Sequence, residues 1–243
     1  MALVPAPAPA LRLLDAALAA HLVPASRLEH EPRRARLATG IRTLDAALEG
    51  GWPAAALAEL CGRRSAGRTS VLHASLAAAI AREQTVALVD AAGAFDPRSA
   101  ESSGVVLARL RWIRAGAEHV GLSLRVVLQA ADVLIAAGGF GLVAIDFGEE
   151  TPRAPTAAWR RLRQAAERQG TGVLVVARGR TVGAVASTAV NLHSARPDFV
   201  AAGGPLLAAL QTRIAVERAV GSLPAPANDD DPWLRFPARP AAR

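Results

Sequence analysis

The feature that most constrains this chain is residues 56–70, Ala-Leu-Ala-Glu-Leu-Cys-Gly-Arg-Arg-Ser-Ala-Gly-Arg-Thr-Ser. The apolar run through Ala56, Leu57 and Leu60 predicts a buried strand. Gly62-x-x-x-x-Gly67-Arg68-Thr69 follows. Ser70 to Arg82 is then a good helix former, with apolar positions at Val71, Leu72, Leu76, Ala79 and Ile80. Strand, glycine loop and helix in that order make a phosphate-binding loop, except at one position: such a loop carries lysine where this chain has Arg68. Lysine is a compact point charge and arginine a larger planar fork, so the exchange is not conservative in a tight loop. The chain contains no lysine anywhere, and all 28 basic residues are arginine. Arg68 by itself is therefore no proof of lost chemistry, and a second, independent loss is needed.

Further along, residues 37–53 read Leu-Ala-Thr-Gly-Ile-Arg-Thr-Leu-Asp-Ala-Ala-Leu-Glu-Gly-Gly-Trp-Pro. Thr39-Gly40 starts a turn, Leu44-Asp45 opens a short helix, and Gly50-Gly51 ends it. Thr85–Asp90 reads as the next buried strand and leads into Ala91-Ala92-Gly93-Ala94-Phe95-Asp96-Pro97. Leu107 to Ala115 predicts another strand, Glu118 to Ala137 a long helix, Gly141–Asp146 a strand ending in an acid, Thr156 to Gln169 a helix and Val173–Ala177 a strand. In this order and spacing the chain resembles the RecA/RadA family of recombinases and ATPases.

The resemblance implies an α/β fold: a RecA-like core with a mostly parallel central sheet flanked by helices, an N-terminal helix and a flexible C-terminal tail. It also supplies the second loss. The family's water-activating glutamate falls at Ala92, and a positioned general base is worth about 10²–10⁴-fold in rate. The resemblance makes Asp146 Walker B-like, at the position where the family's aspartate helps hold the magnesium water shell. Both long DNA-binding loops of the family look trimmed, at Gly148–Pro155 and after Ala177, and the phosphate-sensing glutamine is missing. Gln211–Arg218 resembles the closing strand of the family core. Arg218 matches one of its intersubunit lysines, and Val220 stands at the other.

The expected domains are 1–35, an N-terminal helix (Leu11 to Leu22) and basic linker; 36–221, the RecA-like core; and 222–243, a flexible Pro/Arg tail with an aromatic motif. The tail motif, Trp233-Leu234-Arg235-Phe236, has two open readings: a linear docking motif, or a segment folded back on the core. On the helix Thr156 to Gln169, Trp159, Leu162 and Ala166 share one face, while Arg160 and Arg163 lie mostly elsewhere. That arrangement fits a core helix with a solvated basic face, or a docking surface for an acidic partner or a phosphate backbone. The candidate interaction residues are thus Trp159, Arg160, Arg163, Arg218, Trp233, Leu234 and Phe236.

Net charge is +7, but the arginines are spread rather than gathered in one stripe, so weak or no direct DNA binding is expected. A single cysteine, Cys61, fits a reducing cytoplasm and excludes an internal disulfide framework. No Cys/His spacing suggests a metal, no apolar run is long and clean enough to span a membrane, and the N-terminus has no positive leader region.

A short RecA relative with trimmed loops and ablated chemistry resembles the ImuA family, RecA-like accessory proteins of a damage-inducible mutagenesis cassette. That resemblance implies a protein that is not an enzyme and holds no cofactor. It would act in SOS-induced translesion synthesis by contact with ImuB, the cassette's error-prone replicative-type DNA polymerase, and RecA. The alternatives are a division inhibitor similar to SulA, and a switch that binds ATP without turnover through the loop glycines, Thr69 and Asp146.

Overall fold

The computed structural model describes residues 35–114, 121–201, 205–218 and 232–238. A compact unit begins at Ala35. The expected helix at Leu11 to Leu22 lies outside the described residues. β1 (Arg36–Leu37) pairs antiparallel with β2 (Trp52–Pro53), and α1 (Arg42–Ala47) lies between them. The Thr39-Gly40 turn is tied down locally: the Thr39 N–H donates to Asp45 Oδ1 at 2.7 Å, and the Ile41 N–H to Thr39 Oγ1 at 3.1 Å. Gly51 has φ +116°, and a Cβ there would sit 2.0 Å from the Leu37 carbonyl oxygen, so glycine is obligatory.

The main sheet has eight strands in the order β10-β9-β8-β3-β7-β6-β4-β5. β3 (Leu57–Gly62) is central, parallel to both β7 (Gly172–Ala177) and β8 (Thr188–Ala201). β6 (Phe140–Asp146), β4 (Thr85–Asp90) and β5 (Leu110–Arg114) continue the parallel block. β9 (Pro205–Arg218) turns back antiparallel on β8, and β10 (Trp233–Pro237) adds antiparallel to β9. The central strands are apolar on both faces because both faces are covered. Ala58, Leu60, Val86 and Leu88 point into one core, with α2 (Arg68–Ala81) packed over it. Leu57, Ala87 and Val89 point into the other, covered by α4 (Leu124–Ala137) and α5 (Thr156–Gln169). The short α3 (Pro97–Ser102) is capped by Asp96, whose carboxylate accepts the N–H groups of Arg98 and Ser99. The expected α/β class, a mostly parallel sheet flanked by helices, is what forms.

Three expectations need correction. The helix expected from Glu118 begins at Leu124, because Gly121 and the extended Ser123 precede it; residues 118–120 lie outside the described set. Trp159 is not a docking residue: it is 1% exposed, since its face of α5 is the one laid on the sheet. The tail is not free at 233–237. Those residues form β10, with Leu234 fully buried in the same core as Leu60 and Ile214 and paired in register with Thr212. Trp233 lies under the guanidinium groups of Arg196 and Arg213, at 5.0 and 4.8 Å from its ring. Of the two readings of the tail motif, folding back on the core is the one found.

Candidate functional site

The loop between β3 and α2 sits at the carboxyl end of the parallel block, where such sheets place their ligands. Two residues in left-handed backbone shape it, Ser65 (φ 60°) and Gly67 (φ 98°), and Gly62 donates its N–H to the Arg178 carbonyl at 3.2 Å. A Cβ on Gly67 would lie 2.6 Å from Phe236 Cε2, so the β10 ring rests directly on the loop glycine. Gly67 is also the N-cap of α2 and offers no side-chain acceptor.

Arg68, the first residue of α2, is 8% exposed. Its guanidinium donates to the Gly148 carbonyl and forms an ion pair with the Glu149 carboxylate, both close contacts. Glu149 and Gly148 follow β6 directly. Asp146, at the end of β6, accepts the Gly148 N–H at 2.9 Å and so bends the chain back toward Arg68. Burial pushes the Asp146 carboxyl above the ordinary carboxylate range. The Gly148 N–H opposes that shift, as more weakly does Arg68, and the charge of neighbouring Asp90 adds to it. Asp146 and Asp90 are register partners on adjacent strands.

Asp90 has a different task. It is fully buried and accepts the N–H groups of Ala94 (3.0 Å) and Phe95 (3.1 Å) and Trp112 Nε1 (3.3 Å). It thereby fixes the 91–95 turn that carries Ala92. Phe95 lies edge-on between His73 and Trp112, with ring centroids 5.7 and 5.1 Å away.

These pieces line one cleft of about 650 Å³, whose wall includes Arg68, Thr69, His73, Ala92, Asp146 and Glu149. Of the expected site residues, Arg68, Thr69, Ala92 and Asp146 are therefore brought together on this cleft, while Gly62 and Gly67 shape the loop behind it without lining it. Thr69 is exposed at the cleft, in keeping with a loop position that faces outward. His73 is 3% exposed, and its Nε2 has no hydrogen-bond partner. Burial lowers its pKa below the ordinary histidine value, against the pull of Asp96. Among the described residues no three acidic, histidine or cysteine side chains converge to hold a metal ion. Nor, among them, is any helix long and apolar enough to cross a membrane.

The other candidates are dispersed. Arg160 is exposed on α5, while Arg163 pairs with Glu167 at 2.8 Å on the same helix. Arg218 ends β9, opposite Thr188. Three contributors were not singled out from the sequence. Glu149 sits in a polar turn where nothing marks it as the partner of Arg68. His73 is one polar residue in an apolar helix. Glu59 interrupts an apolar strand, and that interruption is a signal: a carboxylate in a central strand must meet partners. It accepts Arg180 Nε at 2.6 Å, the Val182 N–H at 2.8 Å and the Thr181 N–H, and so anchors the loop after β7.

The comparisons with known proteins agree with this architecture. The profile of the RecA N-terminal domain matches residues 25–156, more than half of the chain. Protein RecA of Lactobacillus delbrueckii subsp. bulgaricus is 36% identical over 109 residues, 44% of this chain and 31% of that protein. Protein RecA of Limosilactobacillus reuteri is 33% identical over 113 residues, covering 46% and 30%. For Synechococcus sp. (strain CC9605) Protein RecA the figures are 33% over 119 residues, covering 49% and 30%. The chain thus spans about a third of the length of the curated relatives it matches. Strand order, loop position and sequence together place this chain in the RecA family, through its RecA N-terminal domain.

Proposed function

We propose that this protein is a non-catalytic RecA-like adaptor in SOS-induced translesion DNA synthesis and mutagenesis. In this reading it works by contact with ImuB, an error-prone replicative-type DNA polymerase, and RecA. The observation that carries the reading is the state of Arg68. The cation that would meet phosphate is buried and already paired with Glu149, and Ala92, on the same cleft wall, has no group that can take a proton. Loss of the base alone would slow hydrolysis by about 10²–10⁴-fold. The residues present do not fit a nucleotide and its magnesium as the family would use them.

Apolar surface suits a protein that works by contact. On the β8–β9 hairpin, two adjacent rungs, Phe199 with Leu207 and Val200 with Leu206, expose all four side chains. The test is affinity purification of tagged protein from DNA-damaged cells, together with phosphate release by the purified chain. Specific recovery of ImuB or RecA without turnover is the expected outcome. Recovery of neither, or magnesium-dependent ATP hydrolysis above background, overturns the reading.

A second reading, nucleotide binding without turnover, is favoured by the cleft's volume and by Thr69 exposed at its edge. Calorimetric ATP binding abolished by Gly67→Asp would support it.

A further inference from the structure

Arg68 sets a physical problem. It opens a 14-residue helix whose first turn has no acidic side chain and whose N-cap gives no side-chain hydrogen bond. The N-terminal end of a helix already carries free N–H groups and partial positive charge. Burying a guanidinium there without an anion is prohibitive. This chain supplies the Arg68 guanidinium with an anion of its own, the Glu149 carboxylate, delivered by the turn that Asp146 and Gly148 make.

The two partners are unequally buried. The Arg68 side chain is 9% exposed and that of Glu149 is 50% exposed, so the anion stands at the mouth of the cleft and the cation at its floor. Glu149 can therefore swing out into water, whereas Arg68 has nowhere to go. On the wall of the same cleft, His73 keeps a buried ring nitrogen without a partner. The wall thus retains an unused hydrogen-bonding group in the cleft that also holds the cation.

We propose that Glu149 is the resident anion of this loop, and that the cleft is a latent site for a phosphate-bearing ligand gated by that one carboxylate. Removing the carboxylate's charge should expose Arg68 and the α2 N-terminus to an external phosphate while leaving the fold intact. The inference rests on the non-catalytic reading above and adds to it a cause for the silence of the loop.

The experiment titrates magnesium-ATP, and separately inorganic phosphate, into the full chain by calorimetry. It compares the unaltered protein, Glu149→Gln, Glu149→Gln with Arg68→Ala, and Glu150→Gln as the neighbouring-charge control. The expected result is ATP binding at least about tenfold tighter in Glu149→Gln than in the unaltered protein. The gain should be absent in Glu150→Gln and lost again when Arg68 is removed. Glu149→Asp, which keeps the charge but shortens the arm, should give a smaller gain and serves if the glutamine variant does not fold. An unaltered protein that already binds as tightly as Glu149→Gln overturns the proposal. So do a Glu149→Gln variant that gains nothing, and a gain that survives loss of Arg68. Phosphate release from the same samples separates the two ideas: turnover by the unaltered protein would sink the non-catalytic reading, whereas a missing affinity gain would sink only the gate.

Discussion

Glu59→Ala should be among the most damaging single changes outside the apolar core. The Glu59 carboxylate is fully buried in the central strand and accepts from Arg180 Nε at 2.6 Å, from the Val182 N–H at 2.8 Å and from the Thr181 N–H. Alanine would leave both backbone donors without an acceptor, at about 1–3 kcal/mol for each that water cannot reach. Breaking a buried charge pair from one side costs about 3–5 kcal/mol. Here the Arg180 side chain is 36% exposed, so water recovers part of that penalty. A total near 3 kcal/mol follows, about a hundredfold in the folding equilibrium. Urea unfolding followed by circular dichroism measures it as a lower midpoint with an unchanged slope. Glu59→Gln keeps an acceptor for the two backbone donors but loses the charge facing Arg180, so its cost should fall between zero and the alanine value. Arg180→Ala should cost less than Glu59→Ala, because both backbone bonds survive. A Glu59→Ala midpoint within error of the unaltered protein would refute the view that this carboxylate anchors the 178–182 loop.

Three further outcomes are expected. Asp146→Asn should raise stability at pH 7: the folded-state pKa of Asp146 is raised, so its contribution is present below the unfolded-state value and lost as pH rises through the folded one. Thermal melts of the two proteins should converge as pH is lowered toward about 4. His73→Leu should stabilise by about 1 kcal/mol by removing an unpartnered buried nitrogen. The sign for His73 is opposite to that for Asp146: its folded-state pKa is lowered, so its stability contribution holds above about pH 6.5 and is lost below, and the His73→Leu advantage should widen in acid. Leu234→Ala should cost about 2–5 kcal/mol, and hydrogen exchange should show β10 and the Gly67 loop loosening together, since Phe236 rests on that glycine.

Local pattern carried much of the architecture. Thr85–Asp90 and Thr156–Gln169 form over the expected residues, and the β3–α2 loop lies where its glycines place it. Those signals are short-range: apolar runs that must be covered on both faces, helix periodicity, and glycines at positive φ. α4 starts later than its apolar periodicity suggests, because that pattern runs on from the Glu118 side while Ser123 is extended and ends the helix backbone. The tail motif stayed undecided for a related reason. Five residues with two aromatics have no local preference strong enough to choose between solvent and sheet, and only the edge of β9 offers the backbone partners that make β10 a strand.

Within the site, residue identity was legible and partnership was not. The resemblance to the RecA family assigns Arg68, Ala92 and Asp146 to their positions. That Arg68 is paired lies 81 positions along the chain, at Glu149, in a polar turn without periodicity. The pairing of Glu59 with Arg180 spans 121 positions. Backbone preference acts over a few residues and is written in the local sequence, whereas a charge chooses its partner by distance in space. Which carboxylate meets Arg68 was therefore decided only when the sheet brought the ends of β3 and β6 to the same edge.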